Sequence, residues 1–174
     1  PRLEPRVDLF HEDYPRQMIG APRALSEAVM AQLEREDILA RFRDPRGRLL
    51  ARILMSTGLR IGDASSLRVD CIVRDGQGAP YLHYTNHKMA REAFVPIDTD
   101  LADAITAQQQ VVLEEFAEPE YLLPRPTRNP EGKLPFSTAT FRGELREWLH
   151  DCDIRDEHGR PVHITPHQWR HTFG

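Results

Sequence analysis

The sequence predicts a mainly α-helical (α+β) domain that carries a small antiparallel sheet of three strands. Apolar residues recur at helical spacing in four long segments, whereas residues 71–97 hold three short β-type runs separated by turn residues. The 174 residues are 40% hydrophobic and 29% charged, an ordinary balance for one globular domain. No apolar run is long enough to cross a bilayer and no signal peptide is visible, so we expect an intracellular protein without a membrane partner.

The first half of the chain predicts an arm followed by helices. Residues 1–22 hold four prolines and no periodicity, which indicates an N-terminal arm or linker, with the domain itself over residues 23–174. A helix is predicted over about 25–40, with Ser26 as a possible N-cap. Asp44 followed by Pro45 is typical of a helix start, and the almost wholly apolar segment to residue 57 indicates a buried central helix. Gly58 suits the C-cap of that helix, and a short helix is predicted over 61–67.

The second half of the chain predicts the sheet and the remaining helices. Strands are predicted at 71–74, 80–85 and 93–97; D-G-Q-G forms the first hairpin turn, and the connection N-H-K-M-A-R-E is longer and polar. Asp98 is a plausible N-cap for a helix that runs to about residue 116. A proline-rich loop over 118–135 separates it from a helix over 138–152, which Ser137 caps. A last helix begins at Pro166 with Thr165 as its N-cap.

Charge and cysteine usage limit the classes of function. The net charge is -4, which counts against a stand-alone nucleic-acid binder because such proteins usually carry a basic surface. Of the 23 cationic residues only Lys88 and Lys133 are lysines, so each lysine stands out against the arginine background. Cys71 and Cys152 are isolated and lack metal-type spacing, which indicates reduced thiols.

Two short motifs contain candidate phosphate-binding residues. T-G-L-R-I-G-D (57–63) places Arg60 just after a helix-ending glycine, with Asp63 within reach to hold the guanidinium. An arginine needs such support to present its fork to a phosphate. Lys88 lies at the tip of the second predicted hairpin, where its amine could donate a proton or pair with a phosphate. Taken alone, each residue is better explained as an exposed side chain.

The terminal stretch I-T-P-H-Q-W-R-H-T-F-G concentrates further polar chemistry on the start of a helix. His167 and Arg170 are three residues apart and therefore share a face, and a helix N-terminus favours anions. His167 and His171 also have the spacing of two metal ligands. The motif lacks the glutamate of H-E-x-x-H and an obvious third ligand, so a metal site is only weakly supported.

Together, in this order, the three motifs resemble the catalytic domain of the tyrosine recombinases, the phage-integrase family. The family pattern around the first arginine is close to T-G-L-R-x-x-E-L-x-x-L, and Asp63 stands here in the place of the glutamate. The terminal stretch resembles H-x-L-R-H-T-F, with Trp169 in the leucine place. V-D-C-I and G-R-P-V-H-I-T-P-H-Q resemble the longer integrases carried by transposons. The resemblance covers about residues 25–174 and implies the helical recombinase catalytic fold, incomplete at its C-terminal end.

The resemblance implies an enzyme that breaks and rejoins DNA through a 3′-phosphotyrosyl intermediate, without a metal or nucleotide cofactor. Arg60 and Arg170 would grip the scissile phosphate, and Lys88 would bind phosphate and act as general acid for the departing 5′-hydroxyl. His167 would assist proton transfer. Asp63 would support Arg60, and His171 would have a structural role.

The resemblance also implies partners and a missing nucleophile. Double-stranded DNA and further recombinase protomers, four on two duplexes, would be the partners, in the bacterial cytoplasm at the nucleoid. The chain begins with Pro1 and ends four residues after Arg170, and none of its tyrosines stands in the family's position (Tyr14, Tyr81, Tyr84 and Tyr121). We therefore expect a fragment that does not cleave DNA by itself.

Three other functions remain open from the sequence. The first is a recombinase-derived DNA-binding module without catalysis, which the acidic net charge would fit. The second is a metal-dependent hydrolase that uses His163, His167 and His171. The third is a helical interaction domain unrelated to DNA, in which Arg60 and Arg170 would lie far apart.

Overall fold

A computed structural model describes residues 24–172 of the chain. Within this range the chain forms seven α-helices and one three-stranded sheet, so the predicted mainly helical class is confirmed. In chain order the elements are α1 (Glu27–Leu33), α2 (Glu36–Leu39), α3 (Pro45–Thr57), α4 (Ile61–Ser65), β1 (Ile72–Arg74), β2 (Pro80–Asn86), β3 (Arg91–Pro96), α5 (Thr99–Glu115), α6 (Thr138–Cys152) and α7 (Pro166–Thr172). The predicted arm over 1–22 lies outside the described residues. No described helix is long and apolar enough to cross a membrane.

Helix α3 is the centre of the hydrophobic core. Its apolar residues are almost completely removed from solvent, and it packs against α4, α5, α6 and α7. Its ends are set by local chemistry, since the Asp44 carboxylate accepts from the backbone N–H of Arg46 and Pro45 occupies the first turn. At the other end Gly58 adopts φ 61°, the left-handed conformation in which glycine carries no steric cost. The predicted central helix and both of its caps are therefore confirmed.

The sheet covers one side of the helical core. Its strands are antiparallel in the order β1-β2-β3, and Leu82 of β2 pairs with Ile72 and Val95. Because side chains alternate along a strand, these three residues face the core, while His83 stacks on Phe94 on the outer face with ring centroids 4.7 Å apart. The same alternation places Asn86 at the end of β2 on the core-facing side.

The prediction of one helix over 25–40 is wrong. The chain is extended at Arg35, with ψ 133°, and this break separates α1 from α2. Leu33 of α1 and Ile38 and Leu39 of α2 are buried in the core on either side of the break, and the Ile38 carbonyl at the end of α2 accepts from the buried indole N–H of Trp148 at 2.7 Å. Tertiary packing thus overrides local helix propensity in a segment without glycine or proline. Ser26 precedes α1, but its hydroxyl bonds to Glu157 instead of capping the helix.

Two smaller differences concern connections between elements. The second hairpin is tighter than predicted, because β2 ends at Asn86 and β3 begins at Arg91, which leaves a four-residue turn that Ala90 closes with φ 48°. The loop over 118–135 is tied down by isolated bridges, one of which joins Arg68 to Tyr121. Cys71 and Cys152 are free and buried, and burial raises the pKa of the Cys71 thiol to about 12.

Candidate functional site

The corner between α3 and α4 positions Arg60. Gly58 ends α3 in the left-handed conformation, and two residues later Arg60 is the extended residue that begins α4. This backbone path leaves the Arg60 side chain 34% exposed while Asp63, in the first turn of α4, is only 4% exposed. The corner therefore presents a guanidinium to solvent directly above a buried carboxylate.

The buried carboxylate of Asp63 is shared between two segments of the chain. Its Oδ2 lies 3.7 Å from Nη1 of Arg60, and its Oδ1 lies 2.9 Å from Nδ1 of His87. The backbone N–H of His87 also donates to Oδ1, at 3.3 Å. A buried carboxylate is stable only where hydrogen-bond donors surround it. The contacts of Asp63 with Arg60 and His87 therefore hold both residues in place.

The turn between β2 and β3 lies against this corner. Asn86 Oδ1 accepts from Arg60 Nη1 at 3.3 Å and from the backbone N–H of Met89 at 3.2 Å. Lys88 lies in the same turn and is exposed, without a hydrogen bond or ion pair to the residues of the described range. The turn therefore brings the only site lysine to the Arg60 corner and leaves its ammonium group accessible.

Helix α7 brings the terminal motif to the same corner. The backbone N–H and the hydroxyl of Thr165 donate to Oε1 of Gln168 at 2.8 Å and 3.1 Å, so the Gln168 side chain closes the start of α7 and the hydroxyl of the predicted cap Thr165 bonds to that side chain. Trp169 is buried against the core and fixes the rotation of the helix. Arg170, on the adjoining face, donates from Nη1 to the carbonyl of Gly58 at 3.3 Å. Both motif arginines are thus attached to one corner, against the reading in which they lie far apart.

The two histidines of α7 contact each other. Nε2 of His167 and Nε2 of His171 lie 3.1 Å apart, with the rings perpendicular, so one ring donates a hydrogen bond to the other. His163 is exposed and lies before the helix. Across residues 24–172 no three histidine, cysteine or acidic side chains form a group that could hold a metal ion. The geometry thus gives the hydrolase reading no third ligand.

The structure thus brings some predicted residues together directly and others only through their elements. Arg60 contacts Asp63, and Arg170 reaches the same corner through Gly58. Lys88 comes near through its turn, while His167 and His171 share α7 with Arg170. No hydrogen bond within the described range joins the side chains of Lys88, His167 or His171 to Arg60.

Sequence reasoning missed Asn86 and His87. Both belong to the connection N-H-K-M-A-R-E, in which Lys88 is the more conspicuous residue because lysine is rare in the chain. The available signal was the strand period of two, which places Asn86 on the same face as buried Leu82 and so toward the helices. A polar residue on that face requires a partner, and Arg60 supplies it.

Comparisons with known proteins identify the family of the chain. The model of a family described as the phage integrase family matches residues 27–174. Transposase B from transposon Tn554 of Staphylococcus aureus is 32% identical over 170 residues, which are 97% of this chain and 26% of the relative. Transposase B from transposon PsiTn554 of the same species is 31% identical over 167 residues, 95% of this chain and 25% of the relative. The chain spans about a quarter of the length of these curated relatives.

Solved structures resemble the chain at the level of the fold. XerA recombinase has a TM-score of 0.63 and 23% identity over 88% of this chain and 50% of its own chain. XerH site-specific recombinase, solved with its palindromic difH substrate as a post-cleavage complex, has a TM-score of 0.66 and 16% identity over 88% of this chain and 41% of its own.

Proposed function

Because this chain belongs to the phage integrase family, we propose that its α3–α4 corner, its second hairpin and α7 form the phosphate-binding part of a site that breaks and rejoins double-stranded DNA. Arg60 and Arg170 grip the scissile phosphate through charge-assisted hydrogen bonds. Lys88 supplies the proton that the departing 5′-oxygen takes up, and His167 assists the proton transfer at the phosphate. Asp63 supports Arg60, and His171 supports His167.

The attachment of both arginines to one corner carries this proposal. Arg60 is held by Asn86 and faces Asp63, and Arg170 is held by the Gly58 carbonyl two residues before Arg60. The negative charge that develops on a pentacoordinate phosphorus needs cations fixed in advance, because a mobile cation would first have to be ordered. Each of these contacts uses only part of a guanidinium. Because a guanidinium has five N–H groups, the remaining ones can donate to phosphate oxygens.

The nucleophile in the proposed reaction is a tyrosine, and none of the tyrosines in the described range lies at the proposed site. Its phenolate oxygen bonds to phosphorus while the bond to the 5′-oxygen breaks, which leaves a 3′-phosphotyrosyl link; a hydroxyl of a second strand then reverses the step and frees the tyrosine. Tyr81 and Tyr84 belong to β2, and Tyr121 pairs with Arg68 in a loop. In the described range none of their hydroxyls bonds to a proposed site residue. The described residues thus bring no tyrosine to the proposed site, and we expect them alone to form no covalent adduct with DNA.

The names of the relatives suggest a biological setting. The two curated relatives are transposases from transposons, so we propose that the whole protein acts in the movement of such an element. The XerH structure holds that recombinase on its DNA substrate, which supports duplex DNA as the partner. Further protomers of the same protein complete the assembly, because two duplexes must exchange strands.

The test is covalent capture of a nicked duplex by the full-length gene product, in buffer with EDTA. The unmodified protein should form a protein–DNA adduct that survives denaturation, whereas Arg60→Ala and Arg170→Ala should lower adduct formation at least about 100-fold. Arg43→Ala is the matched control, because Arg43 forms only an exposed ion pair with Glu147. Full adduct formation by both site variants would refute the catalytic proposal. Salt-dependent binding without any adduct would instead favour a recombinase-derived DNA-binding module.

A further inference from the structure

We infer that His87 is a positioning residue, which docks the Lys88-bearing turn onto the Arg60 corner before any DNA is bound. The inference rests on the proposed function for the role of Lys88, but the docking itself is a property of the free chain. The docking depends on the buried carboxylate of Asp63, whose two oxygens contact different segments of the chain: Oδ2 faces Arg60 and Oδ1 faces His87.

His87 contacts Asp63 through two nitrogen atoms. Both the ring Nδ1 and the backbone N–H of His87 approach the same oxygen, at 2.9 Å and 3.3 Å. A donor pair on a carboxylate that is only 4% exposed has little competition from water, so it holds the turn more strongly than an exposed ion pair would. The remainder of the His87 ring is 60% exposed, and the core does not depend on it.

Asn86 reinforces the same docking from the other side. Its Oδ1 accepts from Arg60 and from the backbone N–H of Met89, so one atom both closes the turn and ties it to the corner. Asn86 and His87 therefore form a two-residue clip, and Lys88 is the next residue along the chain. Adjacent Cα atoms are about 3.8 Å apart, so a fixed His87 restricts the Lys88 backbone to a small volume.

The clip restricts the motion of the lysine before the substrate arrives. A four-residue turn with an exposed lysine would otherwise lose conformational entropy when the phosphate binds. With the turn already held, only the Lys88 side chain has to be ordered. Loss of the clip should therefore slow proton donation to the leaving oxygen more than it weakens DNA binding, since the two arginines would still contact the phosphate.

Amide hydrogen exchange on the free chain tests the docking directly. In His87→Ala the amides of residues 87 and 89 should exchange about 10-fold faster, because the bonds that protect them lose their anchor. The first hairpin turn is the internal control: its Gly78 N–H donates to the Asp75 carbonyl at 3.0 Å, and its exchange should not change.

Two conservative variants separate the Nδ1 bond from the mere presence of a ring. His87→Asn carries an N–H donor at the position of Nδ1 and should restore protection to within about two-fold. His87→Gln carries its donor at the position of Nε2 and should behave like His87→Ala. Unchanged exchange in His87→Ala, or equal exchange in the Asn and Gln variants, would overturn the inference. The Asn–Gln comparison decides the question even if the alanine variant does not fold.

Strand cleavage by the full-length product links the clip to the chemistry. His87→Gln should lower the single-turnover cleavage rate by roughly 10- to 100-fold with DNA affinity changed less than about two-fold, and His87→Asn should retain the rate. His158→Ala, a change to an exposed histidine in a remote turn, is the control. Wild-type rates in His87→Gln would remove the catalytic part of the inference. No cleavage by the unmodified protein, with the exchange pattern intact, would refute the proposed function and leave the docking in place.

Discussion

Arg170 Nη1 donates a hydrogen bond to the carbonyl of Gly58 at 3.3 Å, and this contact joins the last described helix to the corner that carries Arg60. The two residues are 112 positions apart in the chain. The contact depends on the direction in which the Gly58 carbonyl points, and that direction depends on the left-handed backbone of Gly58. The geometry of the proposed phosphate site is therefore coupled to the C-cap of the central helix.

Substitution of Gly58 by alanine should destabilise the chain by about 1–2 kcal/mol, because a Cβ is unfavourable at φ 61°. Gly62→Ala is the matched control, since Gly62 is an exposed residue of helix α4 and a Cβ there meets nothing within 4 Å. That control should be neutral or stabilise by up to about 1 kcal/mol. Urea unfolding of both variants measures the difference; equal free energies of unfolding would contradict the role of the left-handed cap.

Substitution of Glu144 by glutamine should stabilise the chain at neutral pH, because glutamine keeps the shape of the side chain but carries no charge that burial disfavours. Glu144 Oε2 is buried without a hydrogen-bond partner in the described residues. Burial, and next the nearby Asp44 carboxylate, raise the pKa of Glu144, although Arg46 acts in the opposite direction. Glycine at position 47 leaves the space that this carboxyl occupies, because a Cβ there would collide with it.

The pH dependence of this effect has a definite sign. A raised pKa in the folded state means that folding favours the protonated acid. Its contribution is fully present below the ordinary glutamate pKa of about 4.3, and it is lost as the pH rises through the raised value in the folded chain. The stability advantage of Glu144→Gln over the unmodified chain should thus grow from acid to neutral pH. An advantage that is the same at pH 4 and pH 7 would contradict a raised pKa.

The two tryptophans provide a second matched pair, because both are buried and only one has a hydrogen-bonded indole in the described range. Trp148 Nε1 donates to the Ile38 carbonyl at 2.7 Å, whereas Trp169 Nε1 has no partner there. Replacement by phenylalanine removes the same volume at each site. Trp148→Phe should therefore cost about 1 kcal/mol more than Trp169→Phe in urea unfolding, the contribution of one hydrogen bond. The opposite order would show that packing differences outweigh that bond.

Features that depend on neighbouring residues in the chain could be predicted from the sequence, whereas features that depend on long-range packing could not. The caps of α3 and the strands of the sheet were predictable, because Asp44, Pro45 and Gly58 act through their own backbone. The break at Arg35 was not, since no glycine or proline marks it and it depends on how α1 and α2 pack into the core. The candidate site divides in the same way. Motif order identified Arg60 and Arg170, but the sharing of Asp63 with His87 depends on long-range packing.

The presence of only two lysines allows the proposed DNA contact to be mapped residue by residue. Lys88 and Lys133 are both exposed, and Lys133 pairs only with Glu131 in the loop over 118–135. Amine acetylation followed by mass spectrometry should therefore label both in the free chain. Saturating cognate duplex should protect Lys88 by about 10-fold or more and leave Lys133 labelled, because a bound phosphate covers the Lys88 amine and favours its ammonium form, whereas acetylation requires the neutral amine.

The dependence of this protection on Arg60 gives the measurement its discriminating power. Arg60→Ala removes one phosphate contact, so the plot of log binding constant against log salt concentration should become less steep by about 0.9. The variant should also reduce the protection of Lys88 at a fixed DNA concentration. Arg43→Ala should change neither, since its guanidinium pairs with Glu147 on the surface. Equal protection of both lysines would indicate diffuse binding to an acidic chain. Protection of Lys133 alone would place the DNA on another face and contradict the assignment of the Arg60 corner.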